Sequence, residues 1–273
     1  MKNLNIHTIL FAALTLALIG CRSDDDELNL DETIKIENPS RPDADSYSRY
    51  LRGMFGVSRE FTLEFAHETG AEPYSTNSDW EFTRSNIKAV FDRRSLNTSL
   101  RVPWGTRSFA PEGKTGFSLN DIVQLAERHR THEPTILEPS VFVMVLNGFL
   151  EDNGELKENV VGVNINNTSI VAVFKPTIEQ LSTSDETKRK VEQNVIVHEV
   201  GHAFGLVRKG IPLASNHHDT ENEHHCTNRE CVMYHTYEIA GKMKSFAVQN
   251  LFPLDKIVFD DACLNDIEQF RKN

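Results

Sequence analysis

Residues 185–206 read DETKRKVEQNVIVHEVGHAFGL. Val191, Val195, His198, His202 and Leu206 recur at spacings of four, three, four and four, one stripe of an α-helix. The spacing predicts a helix that starts near Asp185 and ends at a glycine-containing C-terminus. Within it, His198-Glu199-Val200-Gly201-His202 places two imidazoles one turn apart on the same face, so both can reach one tetrahedral Zn²⁺. Glu199 projects beside them, within reach of a water that such an ion would activate. Chance alone yields this pattern in some chains, but seven of the eleven histidines fall within residues 198–235. A random scatter would not place them so.

Outward from this helix the chain alternates strands and helices. Phe61, Leu63 and Phe65 alternate with polar residues, as in a half-buried strand. A helical stretch follows around 78–93, with Trp80, Ile87, Val90 and Phe91 on one face, and 98–104 reads as a second strand. Ser118 is an N-cap for a helix carrying Leu119, Ile122, Val123 and Ala126. Residues 141–146 form an apolar run of strand length. Residues 160–165 and 170–174 flank Asn166-Asn167, which predicts a tight turn between antiparallel strands. Late in the chain, Leu264, Ile267 and Phe270 share a helix face. The expected fold class is α/β: a mixed, mostly parallel sheet with an antiparallel strand near its edge and no internal repeat.

Composition bounds the possibilities. The 273 residues are 39% apolar and 25% charged, which excludes collagen-like and wholly disordered chains. The net charge of −11 leaves no general phosphate-binding surface, so nucleic acid is excluded as a partner. Four cysteines are too few for a disulfide-stapled miniprotein. At the N-terminus, Lys2 precedes an apolar stretch from Ile9 to Ile19. That is signal length, whereas a spanning helix needs about 20 residues. The end of the stretch, Leu18-Ile19-Gly20-Cys21, resembles the lipobox of bacterial lipoproteins. The resemblance implies a signal peptide over 1–20, lipidation of Cys21 and a place in the bacterial cell envelope as an outer-membrane lipoprotein. Residues 21–46 are expected to be an acidic tether. Ser23-Asp24-Asp25-Asp26-Glu27 within it resembles surface-export signals of some Gram-negative lipoproteins and also suits a plain solvated spacer. The catalytic domain is expected over 47–273, with an upper part to about 207 and a small helical lower subdomain over 208–273 that includes Phe246, Val248, Leu251 and Phe252. A monomer is expected.

After His202 the chain continues Ala203-Phe204-Gly205-Leu206-Val207-Arg208. This resembles the metzincin metallopeptidases, in which a glycine turns the helix end and a third histidine follows three residues later. Gly205 matches, whereas Arg208 stands where that histidine would be. Further on, His225-Cys226-Thr227-Asn228-Arg229-Glu230-Cys231-Val232-Met233 resembles the archaemetzincins, whose third ligand is followed by two cysteines and a methionine at this spacing. The pattern is also similar to lipid-anchored bacterial membrane metalloproteases. The resemblance implies an insertion over 208–224, His225 as third zinc ligand and Met233 as the methionine of the turn beneath the metal. His217, His218, Asp219 and His224 compete for the third position, and Glu221 or Glu223 would serve a different ligand arrangement. The family also holds a second, structural zinc on four cysteines. Here only Cys263 follows, with Asp260 in place of the other. A disulfide between two of Cys226, Cys231 and Cys263 is expected, with a zinc site completed by Asp260 as the alternative.

These residues imply a zinc peptidase acting on a peptide or protein. Glu199 would be the general base for the attacking water and then the proton donor to the leaving amine. The resemblance also implies that the strand before the zinc helix, 170–174, holds the substrate, while Tyr234 or Tyr237 could assist the oxyanion. Two other functions compete: a His-rich, metal-scavenging lipoprotein without catalysis, and an inactive binding module. Glu199 is superfluous to storage, and an inactive module would often have lost part of the helix set.

Overall fold

The computed structural model describes residues 44–75, 79–94, 96–238, 240 and 256–272. Cys21, the signal segment, nearly all of the acidic tether, and Phe246, Val248, Leu251 and Phe252 lie outside the described residues. The regular elements are, in order, α1 (Ala44–Gly56), β1 (Glu60–Glu68), α2 (Glu81–Asp92), β2 (Ser99–Phe109), β3 (Gly116–Phe117), α3 (Leu119–His129), β4 (Ser140–Leu146), β5 (Phe149–Asp152), β6 (Glu155–Lys157), β7 (Gly162–Asn164), β8 (Ile170–Phe174), α4 (Lys175–Leu181), α5 (Asp185–Ala203) and α6 (Asp261–Lys272). No helix among the described residues is long and apolar enough to cross a membrane.

Five strands form the main sheet in the order β2-β1-β4-β8-β7. The first four are mutually parallel, and β7 joins β8 antiparallel. β4 is buried at every residue because both faces of the sheet are covered. Val141, Val143 and Val145 pack toward a core shared with α1, α2, α5 and α6. Phe142, Met144 and Leu146 pack with α3 on the other face. β3, β5 and β6 make a separate three-stranded sheet that the sequence reading did not anticipate.

Local sequence accounts for the element ends. Ser118 and Asp121 form a reciprocal capping box at α3. Thr168 N–H closes the Asn166-Asn167 turn onto the Ile165 carbonyl, with Asn167 at φ +56°. α5 starts at Asp185 behind the Ser184 cap, as its periodicity predicts. Its C-terminus is a Schellman motif, with Leu206 N–H on the Gly201 carbonyl at 3.2 Å and Gly205 N–H on that of His202 at 2.9 Å. Gly205 sits at φ +77°, and a Cβ there would lie 2.6 Å from Leu51 of α1.

Two expectations change. The strand at 170–174 is interior, paired with β4 on one side and β7 on the other, with all five residues buried. It therefore offers no edge to a substrate; among the described strands the sheet ends at β2 on one side and at β7 on the other. The zinc helix is also not amphipathic over its second half: every residue from Val191 to Ala203 is buried, including Glu192, Gln193 and Asn194. These polar residues are satisfied by neighbours. Gln193 donates to Ser75 Oγ at 2.8 Å and accepts from Thr83. Glu192 accepts the Tyr74 N–H at 2.9 Å and faces Lys175 Nζ at 3.5 Å.

Two outcomes follow from this packing. Gly205→Ala should cost about 1–3 kcal/mol in urea denaturation, because it combines a left-handed backbone with the Leu51 contact. Burial also pushes the Glu192 carboxyl from its ordinary 4.5 up to about 7, against the opposing pull of Lys175. A raised carboxyl pKa gives stability that is full below the unfolded value and fades as pH rises through the folded one. Between pH 5 and 8 the parent should lose up to about 3 kcal/mol that Glu192→Gln does not lose, measured as the difference between their denaturation curves.

Candidate metal centre

Three imidazoles converge at the C-terminal end of α5. The ligand nitrogens of His198, His202 and His225 all lie within 4.8 Å of one another, and all three residues are buried. His198 Nε2 and His202 Nε2 are 3.1 Å apart. The edge of a tetrahedron of zinc-bound nitrogens is about 3.3 Å, from a Zn–N bond of about 2.05 Å. The donor set thus fits a small tetrahedral divalent ion, and three neutral imidazoles leave a fourth position open.

The backbone fixes which ring atom faces the centre. His198 donates its Nδ1–H to the Val232 carbonyl at 2.6 Å, because a carbonyl can only accept. His225 likewise donates Nδ1–H to the Glu223 carbonyl at 2.9 Å. Each bond turns the ring's Nε2 inward and fixes its tautomer, as metal-site histidines require. Neither carbonyl is readable as a partner from sequence.

Glycines allow the close approaches. Gly201, between the two helix histidines, has no Cβ, and one built there would run into Met233 Sδ and come within 3.0 Å of Phe259. Met233 thus packs directly against α5 at the turn between His198 and His202. Gly162 on the β7 edge faces the same helix: a Cβ there would lie 2.6 Å from Val195 Cγ1 and 3.1 Å from Glu199 Cγ. The buried Glu199 side chain therefore lies against the edge strand. Gly162 carried no signal in the sequence, because a lone glycine in a strand has many explanations.

The other candidates for third ligand go elsewhere. Arg208 is exposed, at φ +67°. His217 hydrogen-bonds through Nε2 to Asp266 Oδ2 at 2.9 Å, far along the chain in α6. His218 Nε2 accepts the His224 N–H, and Asp219 accepts from Glu221 and Asn222. Glu221 and Glu223 are exposed. Tyr237 is buried with its ring 5.9 Å from that of His198, while Tyr234 stacks on His235 at 4.3 Å.

A second group gathers Cys226, Cys231, Cys263 and Asp260, again within 4.8 Å. The three cysteines are unbridged, with Cys231 and Cys263 sulfurs 3.6 Å apart, so the expected disulfide is replaced by a thiol cluster. Hydrogen bonds from Cys231 and Cys263 hold the Cys226 thiol far below its ordinary range, while burial pushes Cys231 up and the bonds with its two neighbours push Cys263 up. The group is the one the sequence offered as the alternative to a disulfide, brought together although Cys263 is 32 residues from Cys231.

With zinc as the probe, His225→Ala should remove one equivalent of tightly bound ion from the full chain by elemental analysis. His218→Ala should remove none, since its ring faces the loop backbone.

No protein-family model matches this chain, and no curated protein matches it. Among solved structures it is similar to the archaemetzincin of Methanopyrus kandleri, at 12% identity over 79% of this chain and 97% of that one, with a TM-score of 0.45. It is also similar to a zinc-dependent peptidase of Methanocorpusculum labreanum, at 12% identity over 76% and 99% with a TM-score of 0.36. The archaemetzincin of Archaeoglobus fulgidus, solved with malonate, matches at 12% identity over 76% and 98% with a TM-score of 0.37.

Proposed function

We propose that this protein is a zinc-dependent peptidase whose active centre is His198, His202, His225 and Glu199. The observation that carries the reading is the meeting of three buried imidazoles with a buried carboxylate beside the terminal strand β7. When bound there, zinc would acidify a water molecule and polarise the peptide carbonyl. Glu199 accepts the proton from the attacking water and returns it to the leaving amine. Its place next to the helix histidines gives it reach to both atoms, and its burial strengthens each charge it meets. An extended peptide would add as a strand alongside β7, the terminal strand next to Glu199, so that the scissile bond lies over Glu199. The substrate class is therefore an extended peptide or an unfolded segment of a protein.

The sequence Leu18-Ile19-Gly20-Cys21 supports a lipid anchor on Cys21, which would make the chain a cell-envelope lipoprotein of the bacterial membrane-metalloprotease type. The metal-scavenging alternative calls for several equivalent loose sites. Among the described residues two compact donor groups occur, and they differ in chemistry: three imidazoles in one, three thiols with a carboxylate in the other.

The test is cleavage of a mixed peptide library by the full chain in detergent, loaded with zinc, with products identified by mass spectrometry. Glu199→Ala should lower the rate by about 10²–10⁴-fold while retaining its zinc. A variant that cleaves at the parent rate, or a parent that binds zinc tightly and cleaves nothing, would contradict the peptidase reading.

A further inference from the structure

The second donor group has three thiols, and the identity of its fourth ligand is open between Asp260 and His217. For bonds of about 2.3 Å to sulfur and about 2.05 Å to nitrogen, the edges of a tetrahedral zinc site are about 3.8 Å between sulfurs and about 3.5 Å between sulfur and nitrogen. Cys231 Sγ and Cys263 Sγ are 3.6 Å apart, and His217 Nδ1 lies 3.9 Å from Cys263 Sγ. Asp260 Oδ2 is also near, 3.5 Å from Cys226 Sγ. Both Asp260 oxygens, however, already serve the fold. Oδ1 accepts the Cys263 N–H at 2.9 Å at the start of α6, and Oδ2 accepts from Asn228 Nδ2 at 2.9 Å.

His217 has the opposite arrangement. It is 6% exposed. Its Nε2 is engaged by Asp266 Oδ2, and Asp266 is itself fully buried and pinned by the Ala214 N–H at 2.7 Å. A carboxylate that holds one ring nitrogen of a histidine leaves the other for a metal and fixes the ring's direction. Here the remaining nitrogen is the one turned toward the sulfurs.

We propose that Cys226, Cys231, Cys263 and His217 form a three-thiolate, one-imidazole site for a divalent metal ion, with Asp266 as the residue that positions His217 and Asp260 outside the ligand set. The site staples the 208–224 insertion to α6. It also borders the first centre directly. Cys226 follows His225 in the chain, Cys226 N–H binds the Met233 carbonyl at 2.8 Å, and Thr227 N–H binds that of His217 at 2.9 Å. The ligand assignment stands whether or not the chain is a peptidase; only the link to His225 as an active-centre ligand rests on that reading.

The experiment uses the full chain carrying His198→Ala and His202→Ala, loaded with zinc, so that only the second site fills. X-ray absorption at the zinc edge should show three sulfurs and one nitrogen with the scattering pattern of an imidazole. Three sulfurs and one oxygen without that pattern would overturn the assignment. In the same background, His217→Ala and Asp266→Asn should each weaken zinc by about 10–100-fold or more in a chelator competition, while Asp260→Asn leaves it nearly unchanged. Loss in Asp260→Asn with retention in His217→Ala would also overturn it. So would a Cys231–Cys263 disulfide, found by mass spectrometry in metal-free protein as isolated. If His217→Ala fails to fold, the absorption spectrum of the background protein decides alone. None of these readouts depends on peptide cleavage.

Discussion

Two imidazoles four residues apart on one helix can approach an ion from one side only. A tetrahedral centre then needs a donor from a different part of the chain, brought back over the end of that helix. The reversal begins at Gly205, where the left-handed backbone ends α5 and the Schellman hydrogen bonds satisfy its last carbonyls. Tyr47 of α1 adds a further anchor by donating its hydroxyl to the Ala203 carbonyl at 2.7 Å. The chain that follows brings His225 back to the two helix histidines.

The return path contains little regular structure, so its backbone groups must find partners one by one. They do so largely within the loop. Asp219 N–H binds the His225 carbonyl, Cys226 N–H binds that of Met233, and Val232 N–H binds that of Val258. The carbonyl of Val232 then orients His198, and that of Glu223 orients His225. The loop therefore brings in the third imidazole and also sets which nitrogen two of the rings present. The buried apolar residues of the loop, among them Ile211, Val232 and Met233, join the main core, and the thiol cluster with the His217–Asp266 pair gives the loop a tie to α6.

Close packing does the rest. Gly162 and Gly201 remove side chains at the two places where β7 and the Met233 turn press on the metal-binding helix. Between these contacts Glu199 is held against the sheet edge, buried and limited in its motion. The helix that carries the chemistry is enclosed on all sides over its second half, so its polar residues are joined to neighbours: Gln193 to α2 and the loop before it, Glu192 to Lys175 and Tyr74.

Much of this was legible in the residues because it follows from local rules. The capping box at Ser118, the Asn166-Asn167 turn, the apolar run of β4 and the i, i+4 histidines each depend on neighbours within about one helical turn or strand. Helix α1 was not read from the residues, although Tyr47, Tyr50, Leu51, Met54 and Phe55 carry helical spacing, because its start lies within the acidic segment expected to be a tether. The interior position of β8 could not be read, because strand order depends on pairings between residues far apart in sequence. The same holds for the fate of the cysteines, for His217 turning to Asp266, and for the absence of a side chain at Gly162. By itself, then, the sequence determined the helix, the two imidazoles that periodicity places on one face, and the carboxylate beside them. Only the tertiary structure decided which distant histidine completes the centre and which strand edge lies beside it, because those choices are made by packing and by the pairing of buried backbone groups across the fold.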